Sequence, residues 1–193
     1  MAHAWDRRSD KELVELCNRG DRDEAVRAFE TLYRRHRDYV TRVALRFGAD
    51  RDAAVDVLQE TFLYLLKKFP PTGEGLVLTA QLRSLLYPVA KNLTLSSLRQ
   101  RARLDDSEEF DPDRLQAPSG TDPAERDPAR LSAALARLSA ERREVLLLRF
   151  VDDMSLQDIA DTLSIPLGTV KSRLHLAVRE LRESPEIKDF GKP

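Results

Sequence analysis

The sequence is short of most of the features that would announce an enzyme, a secreted scaffold or a membrane protein. It has one cysteine, Cys17, so no intramolecular disulfide can form, and its three histidines (His3, His36, His175) lack the paired Cys/His spacing of a structural zinc site. No apolar run approaches the ~18 residues of a membrane span. The first ten residues carry Asp6, Arg7, Arg8 and Asp10 instead of the apolar core of a signal peptide. These absences point to a reducing, cytoplasmic setting without membrane insertion, and they give no reason to expect a metal or other cofactor. Aromatics are only 6% of the 193 residues, and no stretch shows the strict alternation of a half-buried strand. What is abundant is charge: 34% of residues are Asp, Glu, Lys or Arg, and they nearly cancel to a net −1. A balanced total says little about partners until the signs are located along the chain.

From Leu104 to Arg130 the apolar rhythm stops. Pro112, Pro118, Pro123 and Pro128 fall here, with nine acids (Asp105, Asp106, Glu108, Glu109, Asp111, Asp113, Asp122, Glu125, Asp127) against Arg114, Arg126 and Arg130. That composition reads as a linker between two bodies, with domains at 1–104 and 128–184, a linker at 105–127 and a tail at 185–193. As a flexible coil the linker averages about 26 Å end to end and reaches about 75 Å when stretched. The expected fold is all-α, with two small helical domains.

In the first body, Ser9 with Glu12 forms a capping-box signature ahead of Leu13 and Leu16, and Gly20 ends the segment. Phe29, Leu32, Tyr33, Val40, Val43, Ala44 and Phe47 then mark a longer helix that stops near Gly48. Val55, Leu58, Phe62, Leu65, Leu66 and Phe69 trace another expected buried stripe, ended by Pro70 and Pro71, with a loop from Pro70 to Gly75. A last helix from about Thr79 to Arg103 packs Leu82, Leu85, Leu86, Val89, Leu93 and Leu98, and Pro88 predicts a kink. Between Arg83 and Arg103 there are five cations (Arg83, Lys91, Arg99, Arg101, Arg103) and no acid, the strongest positive segregation in the chain, which suits phosphate.

In the second body Leu131, Leu135 and Leu138 form one stripe. Ser139 is placed to cap a central helix in which Val145, Leu146, Leu147, Leu148 and Phe150 are apolar almost all round. Arg149 interrupts that run, with a stem able to lie on apolar neighbours while its head reaches water or phosphate. The last two helices read as a helix-turn-helix: Ser155 to Leu163, a turn at Ser164 and Ile165, then Pro166 to Glu183. At about 100° per residue, Leu167, Val170, Leu174, Ala177, Val178 and Leu181 share one side of the second helix. Ser172, His175, Leu176, Arg179 and Glu183 share the other. Lys171 and Arg173 flank that outer side, so a helix lying in a DNA groove would offer cations to phosphates and shorter side chains to base edges. On pattern alone, an amphipathic helix with a solvated charged face explains the same residues.

Ile165-Pro166-Leu167-Gly168-Thr169-Val170-Lys171-Ser172-Arg173-Leu174-His175, preceded by Ser155-Leu156-Gln157-Asp158-Ile159-Ala160, closely resembles the promoter-reading helix-turn-helix of bacterial extracytoplasmic-function (ECF) sigma factors. Asp56-Val57-Leu58-Gln59-Glu60-Thr61-Phe62 resembles the helix with which that family grips the RNA polymerase clamp. Leu86-Tyr87-Pro88-Val89-Ala90-Lys91-Asn92-Leu93 resembles its −10 segment, and the three matches stand in family order. The resemblance covers about Glu12 to Arg103 and Leu131 to Arg182. It implies a sigma factor that binds core RNA polymerase and promoter DNA, has no catalytic residues, and is open to masking by an anti-sigma factor.

By this resemblance Thr169, Lys171, Ser172, Arg173, His175, Leu176 and Arg179 meet the −35 element, and Lys91, Asn92, Arg99, Arg101 and Arg103 the −10 element. Asp56, Gln59, Glu60 and Lys67 face polymerase, and the loop near Pro70 to Leu78 helps capture an unstacked base. Leu85 stands where many relatives have tryptophan, Pro88 where they often have a basic residue, and Ser164 where glycine is common. The acidic linker could follow the polymerase's nucleic-acid channel as a negatively charged mimic.

Other classes leave different traces. A LuxR-type regulator shares Leu138-Ser139, Val145-Leu146 and Thr169-Val170-Lys171, but would normally carry a sensing domain with strands. A kinase is suggested only by His36-Arg37-Asp38, with no glycine-rich loop before it and no Asp-Phe-Gly after it. Cys17 has no histidine near it in sequence to activate it as a nucleophile. A helical protein-interaction adaptor would show no salt-sensitive DNA binding.

Overall fold

A computed structural model describes residues 5–104 and 128–188. Among them every regular element is helical: α1 (Asp10–Arg19), α2 (Arg22–Arg46), α3 (Arg51–Leu66), α4 (Leu82–Leu104), α5 (Pro128–Arg137), α6 (Ala140–Phe150), α7 (Leu156–Leu163), α8 (Leu167–Glu183) and α9 (Pro185–Lys188). They fall into two compact units, which divide within the 105–127 stretch, apart from Arg46–Gly48, which groups with the second. The expected linker and the last five residues lie outside the described residues.

The first unit begins as its sequence dictates. Ser9 caps α1, and the Glu12 carboxylate accepts from the Ser9 backbone N–H at 2.6 Å while the Glu12 N–H donates to Ser9 Oγ at 3.3 Å, the reciprocal capping box. After α2, Gly48 takes φ +93°, and the Ala49 N–H reaches back to the Ala44 carbonyl at 3.1 Å, closing the helix end in the left-handed conformation glycine favours. Leu32, Val40, Val43 and Ala44 of α2 are fully buried. Phe29 meets Phe62 and Phe69 edge-on with centroids 6.2 Å apart in both pairs, and Tyr33 meets Phe62 at 4.8 Å, so aromatic edges join α2 to α3.

Two residues of the expected α3 stripe, Val55 and Leu66, are exposed. Ala53, Ala54, Val57, Thr61, Phe62 and Leu65 take the buried face. Val55 lies about 200° from Val57 on the wheel, so membership of the apolar run does not place it on the packed side. In α4, Leu82 and Leu86 are buried with Tyr87, Ala90 and Thr94, whereas Leu85, Val89, Leu93 and Leu98 are half-buried. The helix runs through Pro88 from Leu82 to Leu104 without interruption.

In the second unit Leu135, Leu138, Leu146, Leu147 and Ala177 form a buried cluster, with Leu174, Val178 and Leu181 of α8 packed against it. Leu131, in the first turn of α5, is exposed, and so is Phe150, the last residue of α6, at 63%. Both sit at helix ends, where the apolar period continues beyond the packed turns. Ser139 stands at the N-cap of α6, but its hydroxyl makes no cap hydrogen bond to the helix backbone. The Arg149 head also departs from expectation: it donates to the Met154 carbonyl at 2.8 Å and so fixes the turn into α7.

Ser155 caps α7 through a second capping box, with Asp158 in the reciprocal position. Ser164 ends α7 at φ +54°, and its N–H bonds back to the Asp161 carbonyl at 3.3 Å. A left-handed β-branched residue is strained by about 1–3 kcal/mol, and glycine at such a site is not. Ser164→Val is therefore expected to lower the unfolding free energy of this unit by about that amount, and Ser164→Gly to leave it unchanged or raise it. Urea titration of the two variants checks the sign.

Candidate nucleic-acid and polymerase interfaces

α8 is held by a narrow apolar edge. Val170 and Ala177 are completely buried, and Leu167, Leu174, Val178 and Leu181 are half-buried beside them. The opposite edge carries Lys171, Ser172, His175 and Arg179, all exposed, with Thr169, Arg173 and Leu176 half-buried along its borders. The wheel reading thus brings together all seven candidate −35 residues along one helix. Gly168 near its start has open space where a Cβ would stand, so nothing crowds the approach to the N-terminal end.

Two acids border this face and were not foreseen. Glu141, in the first turn of α6, has its carboxyl held below the ordinary value. Its own backbone N–H contributes most, then the Ser139 hydroxyl, and the Arg173 and Arg142 charges add to them. Arg142 in turn pairs with Glu180 of α8. Arg173 therefore has a carboxylate near it, a feature visible only once α6 and α8 are packed.

In the first unit the candidate −10 residues lie along α4. Asn92, Arg99, Arg101 and Arg103 are exposed and Lys91 is half-buried. Arg101 is already engaged: its guanidinium is 2.7 Å from Asp50, the N-cap of α3. The Asp50 carboxyl is held low chiefly by the Ala53 backbone N–H, then by Arg101. Both partners are largely in solvent, so the pair is weak and a phosphate can compete for the cation.

The segment between α3 and α4 is anchored. Asn18 grips the Leu76 backbone twice, donating to its carbonyl at 2.8 Å and accepting from its N–H at 2.9 Å. Gly75 has φ +103°, and a Cβ there would stand 3.1 Å from Asn18 Oδ1. Beyond this clamp, Leu78 to Arg83 wall a cavity of about 640 Å³ whose other side is Asp10, Lys11, Arg35 and His36.

His36 is buried there, its Nε2 2.6 Å from Asp10 Oδ2. Arg35 meets Asp10 Oδ1 at 2.5 Å and donates to the Arg8 carbonyl at 3.0 Å and the Asp6 carbonyl at 3.2 Å. Partial burial raises the Asp10 pKa, but hydrogen bonds and charge from His36 and then Arg35 outweigh it, leaving it below the ordinary 3.8. A carboxylate depressed in the folded state stabilises above its unfolded pKa, and that stability is lost as pH falls through the folded value. Asp10→Asn is thus expected to flatten the loss of stability of this unit below about pH 4, as followed by acid titration of its helicity. The sequence signal for the cluster was slight: His36 stands four residues from both Leu32 and Val40, inside the core stripe of α2.

On α3, Asp56, Gln59, Glu60 and Lys67 are all exposed. They share their face with Val55 (49% exposed), Leu63 (45%) and Leu66 (46%). The sequence reading missed these apolar members, although wheel arithmetic at about 100° per residue puts Leu63 and Leu66 beside Gln59. An apolar stripe rimmed by polar residues has the make-up of a docking surface. Cys17 is buried, and burial pushes its thiol pKa up to about 11, which leaves little thiolate for nucleophilic chemistry.

Two separately packed helical units, one with a basic helix beside a cavity and one ending in a helix-turn-helix, define the class. Residues 32–104 match the model of Sigma-70 region 2, and residues 129–181 that of Sigma-70 region 4. The chain is 37% identical over 162 residues to the ECF RNA polymerase sigma factor SigL of Mycobacterium tuberculosis, covering 78% of this chain and 85% of that protein. It is 32% identical over 168 residues to the ECF RNA polymerase sigma factor SigE of Mycolicibacterium smegmatis, covering 82% of this chain and 62% of that longer protein. Among solved structures, the sigma factor RpoE of Bartonella quintana, in complex with the anti-sigma factor NepR, has the same fold at 22% identity. Its TM-score is 0.61, over 85% of this chain and 98% of that one. The chain belongs to the ECF RNA polymerase sigma factors, proteins of promoter recognition and transcription initiation. Among the described residues no helix is long and apolar enough to cross a membrane.

Proposed function

We propose that the two units divide initiation between them, 1–104 docking on core polymerase and handling the −10 element, 128–184 reading the −35 element, with 105–127 joining them. The observation that carries the −35 half is the sidedness of α8, whose Val170 and Ala177 are buried while Lys171, Ser172, His175 and Arg179 face outward. Lys171, Arg173 and Arg179 take phosphates; Ser172, His175 and Leu176 reach base edges, with Leu176 suited to a thymine methyl and Thr169 seated at the groove end. Along α4, Lys91, Arg99, Arg101 and Arg103 follow the backbone of the −10 region and Asn92 offers the polar contact. Asp56, Gln59, Glu60 and Lys67 surround the apolar stripe that meets the polymerase clamp. The chain acts in the cytoplasm as an initiation factor without a catalytic site. An anti-sigma protein that covered α3 or α8 would silence it, as the partner-bound RpoE structure makes reasonable.

The test separates phosphate from base contacts. Lys171→Ala and Arg179→Ala are each expected to weaken −35 DNA binding evenly across sequences and to reduce the salt slope by about 1. The triple substitution Ser172→Ala, His175→Ala, Leu176→Ala is expected to redistribute promoter preference, at about 1–3 kcal/mol per lost base contact. Selection from a randomised −35 library reads both, and an unchanged preference for the triple variant would refute the base-reading assignment. A LuxR-type regulator, in contrast, would show no stoichiometric binding to core polymerase in a pull-down.

A further inference from the structure

The first turn of α6 meets one edge of α8 through two couplings of opposite sense. Arg142 of α6 pairs with Glu180 of α8. Arg173 stands seven residues before Glu180, two turns of α8, so both side chains leave the same edge, about 10 Å apart along the helix. The acid next to Arg142 is Glu141, and it is the one that feels Arg173. Its carboxyl is held low first by its own backbone N–H and next by the Ser139 hydroxyl; Arg173 then contributes ahead of Arg142, although Arg142 is its neighbour in the chain. Leu146, Leu147 and Ala177 fix the two helices behind this edge, with Leu174 packed against them. Arg173 is half-buried there, whereas Lys171 and Arg179 of the same helix are exposed.

That placement restricts how Arg173 can serve DNA. A guanidinium carries five N–H donors in a fixed plane, so a carboxylate on one edge leaves another edge for a phosphate. A phosphate in line with that second edge completes a bridge between the two anions. One out of line has to draw the side chain from Glu141 first, and an exposed coupling of this kind is worth up to about fivefold in binding. Lys171 and Arg179, in solvent, can follow phosphates in several registers.

We infer that Glu141 is a positioning residue for promoter reading: it holds the Arg173 guanidinium at the border of the α8 face, where only a duplex seated for base contact brings a phosphate in line. This role rests on the −35 reading of α8 given above. Glu141 meets no DNA itself and acts through Arg173. Its charge lowers affinity for DNA of the wrong sequence and so widens the gap between a promoter and its surroundings.

The experiment compares two duplexes bound by the full chain at about 0.1 M salt. One is selected by the wild-type chain from a randomised −35 library, and the other has the same length and composition in shuffled order. Glu141→Gln keeps an oxygen for the backbone N–H and for Ser139 and removes only the charge. It is expected to bind the shuffled duplex about threefold tighter and the selected duplex as the wild type does, so that discrimination falls about threefold. The salt slope on the shuffled duplex steepens toward one further phosphate contact. In an Arg173→Ala background the same substitution leaves both duplexes unchanged. Glu183→Gln removes an equal charge ten residues from Arg173, about 15 Å along α8 and beyond the screening length, and leaves discrimination as it is. A fault in folding weakens both duplexes alike, so their ratio reads positioning alone.

Unchanged discrimination in Glu141→Gln would overturn the role of Glu141 while leaving the −35 reading intact. So would a threefold effect that survived Arg173→Ala, or one matched by Glu183→Gln, because either makes Glu141 a general charge and not a hold on Arg173. A wild-type chain that enriched no sequence from the library would overturn the −35 reading and this role together.

Discussion

Val55→Glu combined with Leu63→Glu is expected to weaken binding to core RNA polymerase by at least about a hundredfold, with no loss of folded structure. Both side chains are close to half exposed, so neither contributes much to the core of the first unit. Substitutions at such positions ordinarily move stability by less than about 0.5 kcal/mol. In a docked complex they would lie inside the apolar stripe formed with Leu66, and a carboxylate forced into a desolvated interface costs several kcal/mol unless a cation meets it. Interface energy concentrates in such central residues, whereas the polar rim contributes less. Asp56→Ala and Lys67→Ala should therefore have smaller effects, felt more in the association rate and in its salt dependence. Analytical gel filtration with core enzyme and a thermal melt of the free chain read the two halves of the prediction. Full retention of binding by the double variant would remove α3 from the contact.

Leu147→Ala is expected to unfold the helix-turn-helix unit while sparing the first. Leu147 is 1% exposed, at the centre of the cluster with Leu135, Leu138, Leu146 and Ala177. Removing three carbons from such a site costs about 2–5 kcal/mol, part transfer and part unfilled cavity. A unit of this size is marginal to begin with, because a small domain buries a smaller share of its surface, so that loss approaches its whole stability. Binding to −35 DNA should disappear, and denaturant titration should show one transition shifted to low urea and the other unmoved. Binding to core polymerase through α3 should persist. Loss of both transitions together would mean that the units do not fold independently.

Local signals were the most legible part of the sequence. Ser9 with Glu12 and the glycine after α2 act through neighbours three to five residues away, and the structure closes both of them. The face of α8 was legible because a helix packed on one side shows that side in its periodicity. Val55, Leu66, Leu131 and Phe150 were misplaced for a related reason: periodicity marks an apolar residue but does not say whether this chain or a partner covers it. Ser139 stands where a cap belongs, and its hydroxyl is engaged by the Glu141 carboxylate, a competition that residue preference cannot foresee.

The cavity around His36 was out of reach for a stronger reason. Asp10 and His36 are 26 residues apart, and the wall from Leu78 to Arg83 comes from a third segment, so only packing unites them. The same holds for Glu141 beside Arg173. The candidate −10 and −35 residues, by contrast, each lie along one continuous helix, and for that reason motif and wheel arithmetic could gather them.

Initiation itself gives the most direct test. Core RNA polymerase is combined with the purified chain and a library of promoter templates in a run-off assay at low salt. Transcripts should begin at a restricted set of sites that require the chain, and those sites should lose preference when Ser172, His175 and Leu176 are replaced together by alanine. Absence of chain-dependent, site-selective transcripts would contradict the assignment of these two helical units to one initiating complex.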